Sequence, residues 1–206
     1  MTHRLSTRLL AVLLPVTALL LPAAAHAEKV VTDDAVGDAQ IVTSDTDEST
    51  EELELAPAPD ETATDITRTV VAHGNTRLSI TVHLRDLVLT STDHQTYVRV
   101  VTPQGEYQVQ VGKIPGFRAR AVLTRRGRQM DCRALRAALD GGTDTVAVSL
   151  PTSCIDAPHW VQVGVGVVRV AESLDPGAHT LFADDGHRVG DIRESDVAKG
   201  PRVRRG

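Results

Sequence analysis

Aromatic side chains are scarce in this 206-residue chain: Trp160, Tyr97, Tyr107, Phe117 and Phe182 are all it has, so few faces exist on which a sugar ring could stack. Cysteine is scarcer still, with only Cys132 and Cys154, and no C-x-x-C pair. Long apolar runs are missing beyond residue 21, and the chain ends in Arg204-Arg205-Gly206 instead of a hydrophobic tail, which argues against a membrane anchor in the mature protein. There is no H-E-x-x-H, G-x-S-x-G or Walker-type loop, so no enzyme signature is present and none of the usual catalytic classes is expected. No internal repeat appears.

What is present begins with an address. Residues 1–27 read as a cleavable signal peptide: Arg4 and Arg8 precede an apolar run from Leu9 to Leu21, and Ala25-His26-Ala27 forms an A-x-A cleavage site. The run is about 13 residues and contains Pro15, whereas a spanning helix needs roughly 20. A secreted protein of one domain plus tails is expected. In an oxidising compartment Cys132 and Cys154 are expected to form a disulfide, worth about 3 kcal/mol for a loop of about 23 residues. A metal pair or a nucleophilic thiol are the alternatives.

Charge is divided along the chain. Between Glu28 and Asp65 there are 13 acidic residues against Lys29 alone, and from Ile66 onward 14 acidic against 19 basic. Residues 28–64 are expected to give one short strand at Lys29-Val30-Val31 and then a long acidic loop, with Asp45 to Pro59 too polar to order itself. No nucleic-acid partner is expected.

Residues 65–175 carry the period-2 pattern of half-buried strands. Leu78, Ile80, Val82 and Leu84 alternate with polar residues, and Gly74-Asn75 before them supplies a hairpin turn. A second hairpin runs from Gln95 to Val111 around Pro103-Gln104-Gly105. Further strands are expected over 117–124, 145–150 and 160–171, the last with a bulge near Val167, where Val168 and Val170 break the phase. Asp131 could cap a short helix from Cys132 to Leu139, with Leu135 and Leu139 one turn apart. Residues 176–206 read as a polar tail that adds at most one short strand before fraying. The expected fold is mainly β: an antiparallel sandwich with one short helix and a long acidic N-terminal loop.

Val31-Thr32-Asp33-Asp34-Ala35-Val36-Gly37-Asp38, followed by an acidic loop and then Asp65-Ile66 opening a strand, resembles exported actinobacterial proteins with a domain like family 9 carbohydrate-binding modules, a DOMON-like β-sandwich. The resemblance spans Val30 to Glu172. It implies a calcium site at the Asp/Gly turn, with Asp33, Asp34 and Asp38 matching the turn and Asp65 matching the acid that opens the second strand. Three carboxylates around Gly37 plus carbonyls suit a hard ion, although Asp-rich turns also form for their local hydrogen bonds alone. The sequence departs from sugar-binding members in its lack of aromatic platforms.

Two other groups stand out. Arg118, Arg120, Arg125, Arg126 and Arg128 gather near one hairpin end, as a basic patch for phosphate or carboxylate polymers, a charged sheet edge, or a partner for the acidic Asp45 to Glu54 segment. Asp184-Asp185-Gly186-His187 with Asp191 forms a second acidic turn, read as solvated. Together these features describe an exported, non-catalytic binding or interaction module, calcium-stabilised through Asp33, Asp34, Asp38 and Asp65, whose partner is an envelope polymer or another exported protein. The alternatives are a hydrolase acting on envelope polymers and a structural or regulatory partner of another exported protein.

Overall fold

The computed structural model describes residues 27–44, 53–90, 93–172, 179–193 and 196–206. The signal-peptide reading of the first 26 residues, and the acidic stretch 45–52, lie outside them. No helix among the described residues is long and apolar enough to cross a membrane.

The chain forms an antiparallel β-sandwich. Its strands are β1 (Glu28–Asp33), β2 (Gln40–Ser44), β3 (Leu53–Pro57), β4 (Ile66–His73), β5 (Arg77–Leu84), β6 (Asp93–Thr102), β7 (Gly105–Lys113), β8 (Arg120–Arg125), β9 (Arg128–Met130), β10 (Arg136–Asp140), β11 (Thr145–Pro151), β12 (Trp160–Glu172), β13 (His179–Asp185) and β14 (Arg202–Arg204). The smaller sheet has the order β1-β4-β5-β11-β10, and the larger β3-β2-β13-β12-β6-β7-β8-β9. Valine and other branched residues fill the space between them, because a branched side chain packs well on a pleated surface. Val82, Val98, Val100, Val109, Val111, Val161, Val163, Val165 and Val167 are all buried in one cluster with Leu78, Ile80 and Leu150. Tyr107 is the one aromatic residue in that cluster, and its hydroxyl reaches Asp156 at 2.6 Å.

Both anticipated hairpins are present: β4 pairs with β5 across Gly74, and β6 with β7 through Pro103-Gln104. His73 and His83 lie at opposite ends of the first hairpin, His73 opposite Leu78 and His83 opposite Arg68.

Four local expectations fail. The segment 132–139 is not a helix. A turn over Arg133-Ala134 follows Cys132, and β10 then pairs with β11. Leu135 and Leu139 sit four apart, a spacing that one helical turn and a strand face share, and half-buried Ala137 between them belongs to the strand period. The short helical element is instead a 3-10 turn, Thr152–Ile155.

No bulge interrupts β12, whose register against β6 and β13 is continuous. Val168 and Val170 lie on the outer face, while Arg169 takes the inward position. The bulge lies between β4 and β5, at Ile66/Arg68. Leu53–Pro57, expected within a loop, is the strand β3 paired with β2.

The C-terminal residues do not fray. β13 and β14 lie end to end along the same edge of β12, and residues 197–200 cross its outer face between them. Gly164 and Gly166 permit this crossing: a Cβ on Gly164 would collide with the Ala198 carbonyl, and one on Gly166 would touch Val197. Arg99 bonds Asp196, Arg188 bonds Asp185 at 2.8 Å, and Gly200 N–H donates to Val163 O at 2.9 Å.

The Cys132–Cys154 disulfide is formed, with Cα atoms 5.9 Å apart. It ties the β9–β10 connection to the 3-10 turn.

Candidate metal centre

The turn between β1 and β2 starts from glycine geometry. Gly37 has φ of +82°, which a side chain would resist, and this sharp turn returns Asp38 toward Asp34. Gly37 N–H donates to Asp65 Oδ2 at 2.8 Å, and Asp34 N–H donates to Thr67 O at 3.0 Å, so the turn is docked on the entry to β4. Asp65 is fully buried, and Arg85 holds the same Oδ2 at 2.7 Å. From the far end of the chain, β13 delivers Asp184 to the same place. Its Oδ2 accepts the Ile66 N–H at 2.7 Å, and its Oδ1 accepts the Asp185 N–H, also at 2.7 Å.

One carboxylate oxygen from each of Asp34, Asp38 and Asp184 lies within 4.8 Å of the other two. Oxygens sharing a calcium ion at about 2.3–2.6 Å each can be no more than about 5 Å apart, so this spacing admits one ion among all three. Asp34 Oδ2, Asp38 Oδ1 and Asp65 Oδ1 are buried without any hydrogen-bond partner among the described residues. Three orphaned acidic oxygens in one place are an uncommon cost for a folded chain to carry, and a bound cation would relieve it.

The electrostatics agree. Burial, reinforced by the charges of Asp38, Asp185 and Asp65, pushes Asp34 up to about 7, against a favourable backbone hydrogen bond. Burial also pushes Asp184 up to about 8, with Asp38 and Asp34 adding repulsion while backbone hydrogen bonds oppose it. Asp38 is raised by burial and by Asp65.

Of the four acids read from the sequence, Asp34 and Asp38 belong to the cluster, and Asp65 lies beneath it with one oxygen spare. Asp33 does not belong. Period 2 in β1 turns it to solvent, where it pairs with Arg68 at 2.7 Å. Asp184 replaces it. Its turn, expected to be solvated, instead buries both Asp184 and Asp185. The available signal was strand phase: Asp184 lies two residues beyond Phe182, on the same face of β13, a face whose partner in β12 is the buried Val167. Asp185 is used structurally, its Oδ2 accepting Arg188 Nε and Ala198 N–H. Asp191 accepts a hydrogen bond from Gln40.

The five arginines do not form one patch. Arg125 turns to Asp156 and Gln104 O and lies over the Tyr107 ring, 4.9 Å from its centroid. Arg126 and Arg128 are exposed at the β8–β9 turn. Arg118 and Arg120 flank a separate depression with Lys113. Contact of the patch with the acidic segment concerns residues mostly outside the described ones.

No protein-family model, curated protein or solved structure matches this chain.

Proposed function

We propose that this chain is an exported, non-catalytic binding module whose sandwich is fastened by a calcium ion held between Asp34, Asp38 and Asp184, with Asp65 supporting the turn. The observation that carries the reading is the convergence of these three carboxylates from the two ends of the chain, with orphaned oxygens on Asp34, Asp38 and Asp65. An ion there would bridge the β1–β2 turn to the end of β13. The export reading rests on the N-terminal leader pattern, and the disulfide is in keeping with it. The resemblance to family 9 carbohydrate-binding modules fits the same picture, with Asp184 taking the place expected for Asp33.

Hydrolysis is the competing use of clustered acids with raised pKa values. The spacing favours the metal: glycosidase carboxyl pairs stand about 5–5.5 Å apart in retaining enzymes and about 6.5–9.5 Å in inverting ones, leaving room for substrate or water. Here three acids, not two, bring one oxygen each within 4.8 Å of the others, and Asp184 lies buried with both oxygens accepting backbone N–H groups.

Thermal melting in calcium and in chelator tests the reading. A rise in melting temperature with calcium, abolished in Asp184→Asn, supports it. An unchanged melt across millimolar calcium and chelator removes it.

A further inference from the structure

The two sheets do not close on each other along one side of the sandwich. There β9 is the outer strand of the larger sheet and β10 that of the smaller, and between them the core ends in half-buried Ala121, Met130, Cys132 and Leu135. β9 is also short. Its three residues, Arg128–Met130, cover β8 only from Leu123 to Arg125, and the chain then leaves the sheet at Asp131. The first half of β8 therefore has β7 on one side and, among the described residues, no strand on the other.

Hairpin parity fixes which backbone groups this leaves open. Arg126 and Gly127 form a two-residue loop with φ of +49° and +72°, the signs of a type I′ turn, so the flanking residues Arg125 and Arg128 are a hydrogen-bonded pair. Bonded and non-bonded pairs alternate along an antiparallel ladder. Leu123 and Met130 are thus the next bonded pair, and Arg125, Leu123 and Ala121 all direct their N–H and C=O away from β7. The β6–β7 hairpin gives the same parity independently. Counted from its closing pair Thr102 and Gly105, the residues of β7 that bond β8 are Gln108, Gln110 and Gly112, opposite Thr124, Val122 and Arg120. Ala121 lies past the end of β9, and its N–H and C=O have no partner among the described residues.

Open space lies on both faces of this edge, and Val122 borders both. On the inner face is a cavity of about 450 Å³ beside Ala121, Leu123, Met130 and Leu135. On the outer face is one of about 480 Å³ beside Phe117, Arg118 and Arg120. Phe117 stands 70% exposed on its lip, held there by a turn whose Phe117 N–H donates to Ile114 O at 3.1 Å. The rim is basic. Arg118, Arg120 and Arg136 form no ion pair among the described residues, and Arg136 is fixed at the inner lip by donating to Arg133 O at 2.7 Å and Leu135 O at 2.8 Å.

We infer that the open edge of β8 receives an extended peptide of a partner protein, in which apolar and acidic residues alternate, as an added strand. The inference rests on the binding-module reading and names its partner. The peptide's backbone pairs with Ala121. Its residue opposite Ala121 points to the inner face and fills the space beside Met130 and Leu135, while its neighbour opposite Arg120 points to the outer face, where a carboxylate meets Arg118 and Arg120. Free main-chain groups with receiving sites on alternate faces are what strand addition uses. A sugar or a nucleic acid would engage the arginines and the phenyl ring but leave Ala121 and the inner space unused. Arginines alone could serve to keep strands away from a sheet edge, yet the inward position here holds Ala121 and no charge, so the edge is not guarded from within.

The test is an amide-resolved magnetic-resonance titration of the isotope-labelled protein at physiological salt with a blocked heptapeptide of alternating glutamate and valine. The same peptide with lysine for glutamate, and a trimer of galacturonic acid, are the comparisons. The expected result is that the Ala121 amide shifts and its exchange with solvent slows, that Met130 and Leu135 shift with it, and that both comparison molecules bind at least about tenfold more weakly. Two variants accompany it. Ala121→Pro removes an N–H that no ladder uses, which an edge strand tolerates, and should abolish peptide binding while melting with the unaltered protein. Arg120→Glu changes an exposed outer residue and should reverse the preference toward the lysine peptide. Should the proline variant fail to fold, the charge reversal alone decides. No binding of the glutamate peptide overturns the inference, as does binding that Arg120→Glu retains unchanged, or uronate binding as tight as the peptide's. Sedimentation of the protein alone completes the test: a dimer in which the Ala121 amide is already protected would mean that a second copy occupies the edge, and would overturn the partner. The calcium-induced melting shift, read on the same samples, keeps the two readings apart. A protein that responds to calcium but ignores the peptide refutes the partner and leaves the metal centre standing.

Discussion

Asp65 Oδ2 accepts the backbone N–H of Gly37 at 2.8 Å, while its Oδ1 is buried without a partner among the described residues. One carboxylate therefore does two things: it fixes the tight turn that carries Asp34 and Asp38, and it leaves an unmatched negative oxygen under that turn. Arg85 balances the first oxygen. A cation in the acidic cluster would balance the second.

Calcium at a hundredfold excess over its dissociation constant should stabilise the protein by about 2.7 kcal/mol, a rise of roughly 5–10 °C for a chain of this size. Asp184→Asn should lose that rise. In chelator the same variant should melt no higher than the unaltered protein: burial already keeps a proton on Asp184, so no charge is removed, and the amide nitrogen cannot accept from Ile66 N–H or Asp185 N–H as a carboxyl oxygen does. Differential scanning calorimetry reads both effects, and a variant that kept the full calcium rise would show that Asp184 does not hold the ion.

With calcium removed, Asp34 near 7 and Asp184 near 8 keep protons that the unfolded chain, with an ordinary value of 3.8, has already released. The folded state then binds more protons than the unfolded state between about pH 4 and 8, so its stability falls as pH rises through that window. His94, pulled down to about 4 by burial and by Arg169, has the opposite sign, but only below its unfolded value of 6.5. Melting in chelator from pH 6.5 to 8.5 isolates the carboxylates: the melting temperature should drop across this range, and the increment from added calcium should grow. Equal melting temperatures at the two ends would contradict the raised values.

Strand phase explains which parts of this architecture were readable in advance. The alternation through Leu78, Ile80, Val82 and Leu84, and the turns at Gly74 and Pro103-Gln104, specify two hairpins locally, and both form. The span from Leu135 to Leu139 satisfies two periods at once, and only pairing with β11, supplied by tertiary structure, selects the strand. The acidic cluster was half legible for a related reason. Asp34 and Asp38 are joined by a short turn that shows itself in sequence, whereas Asp184 lies 146 positions from Asp38 and arrives through the pairing of β13 with β2 and β12. Asp33 matches the turn of the resembled family in sequence, but its adjacency to Asp34 beside a strand places the two side chains on opposite faces.

The disulfide should matter more to stability than to architecture. Cys132 is half-buried beside Leu135 and Met130, and its bridge closes the loop that carries β10 and β11. Reduction should lower stability by about 3 kcal/mol, or roughly 6–12 °C, if the chain-entropy contribution dominates. Melting with and without reductant measures the change, with mass analysis confirming that both thiols have formed. A shift of less than a degree would mean that the packing of β10 against β11 already restrains the loop.

Two glycines on the outer face of the same sheet make opposite predictions. Gly164 lies under the Ala198 carbonyl, so Gly164→Ala must push residues 197–200 away from β12, at a cost of about 1–3 kcal/mol. The loss should not stay local. Val203 in β14 packs in the main core and pairs with Val161, and the crossing segment leads directly into that strand. Amide exchange should therefore quicken at Gly200 and Val203 as well as at Ala198. Gly112→Ala places the same methyl group in open space and should leave exchange and melting within about 0.5 kcal/mol of the unaltered protein. If both alanine variants behaved alike, the close crossing over Gly164 would not be a constraint on the fold, and the C-terminal residues would be held by β14 and the Arg188 and Arg99 ion pairs instead.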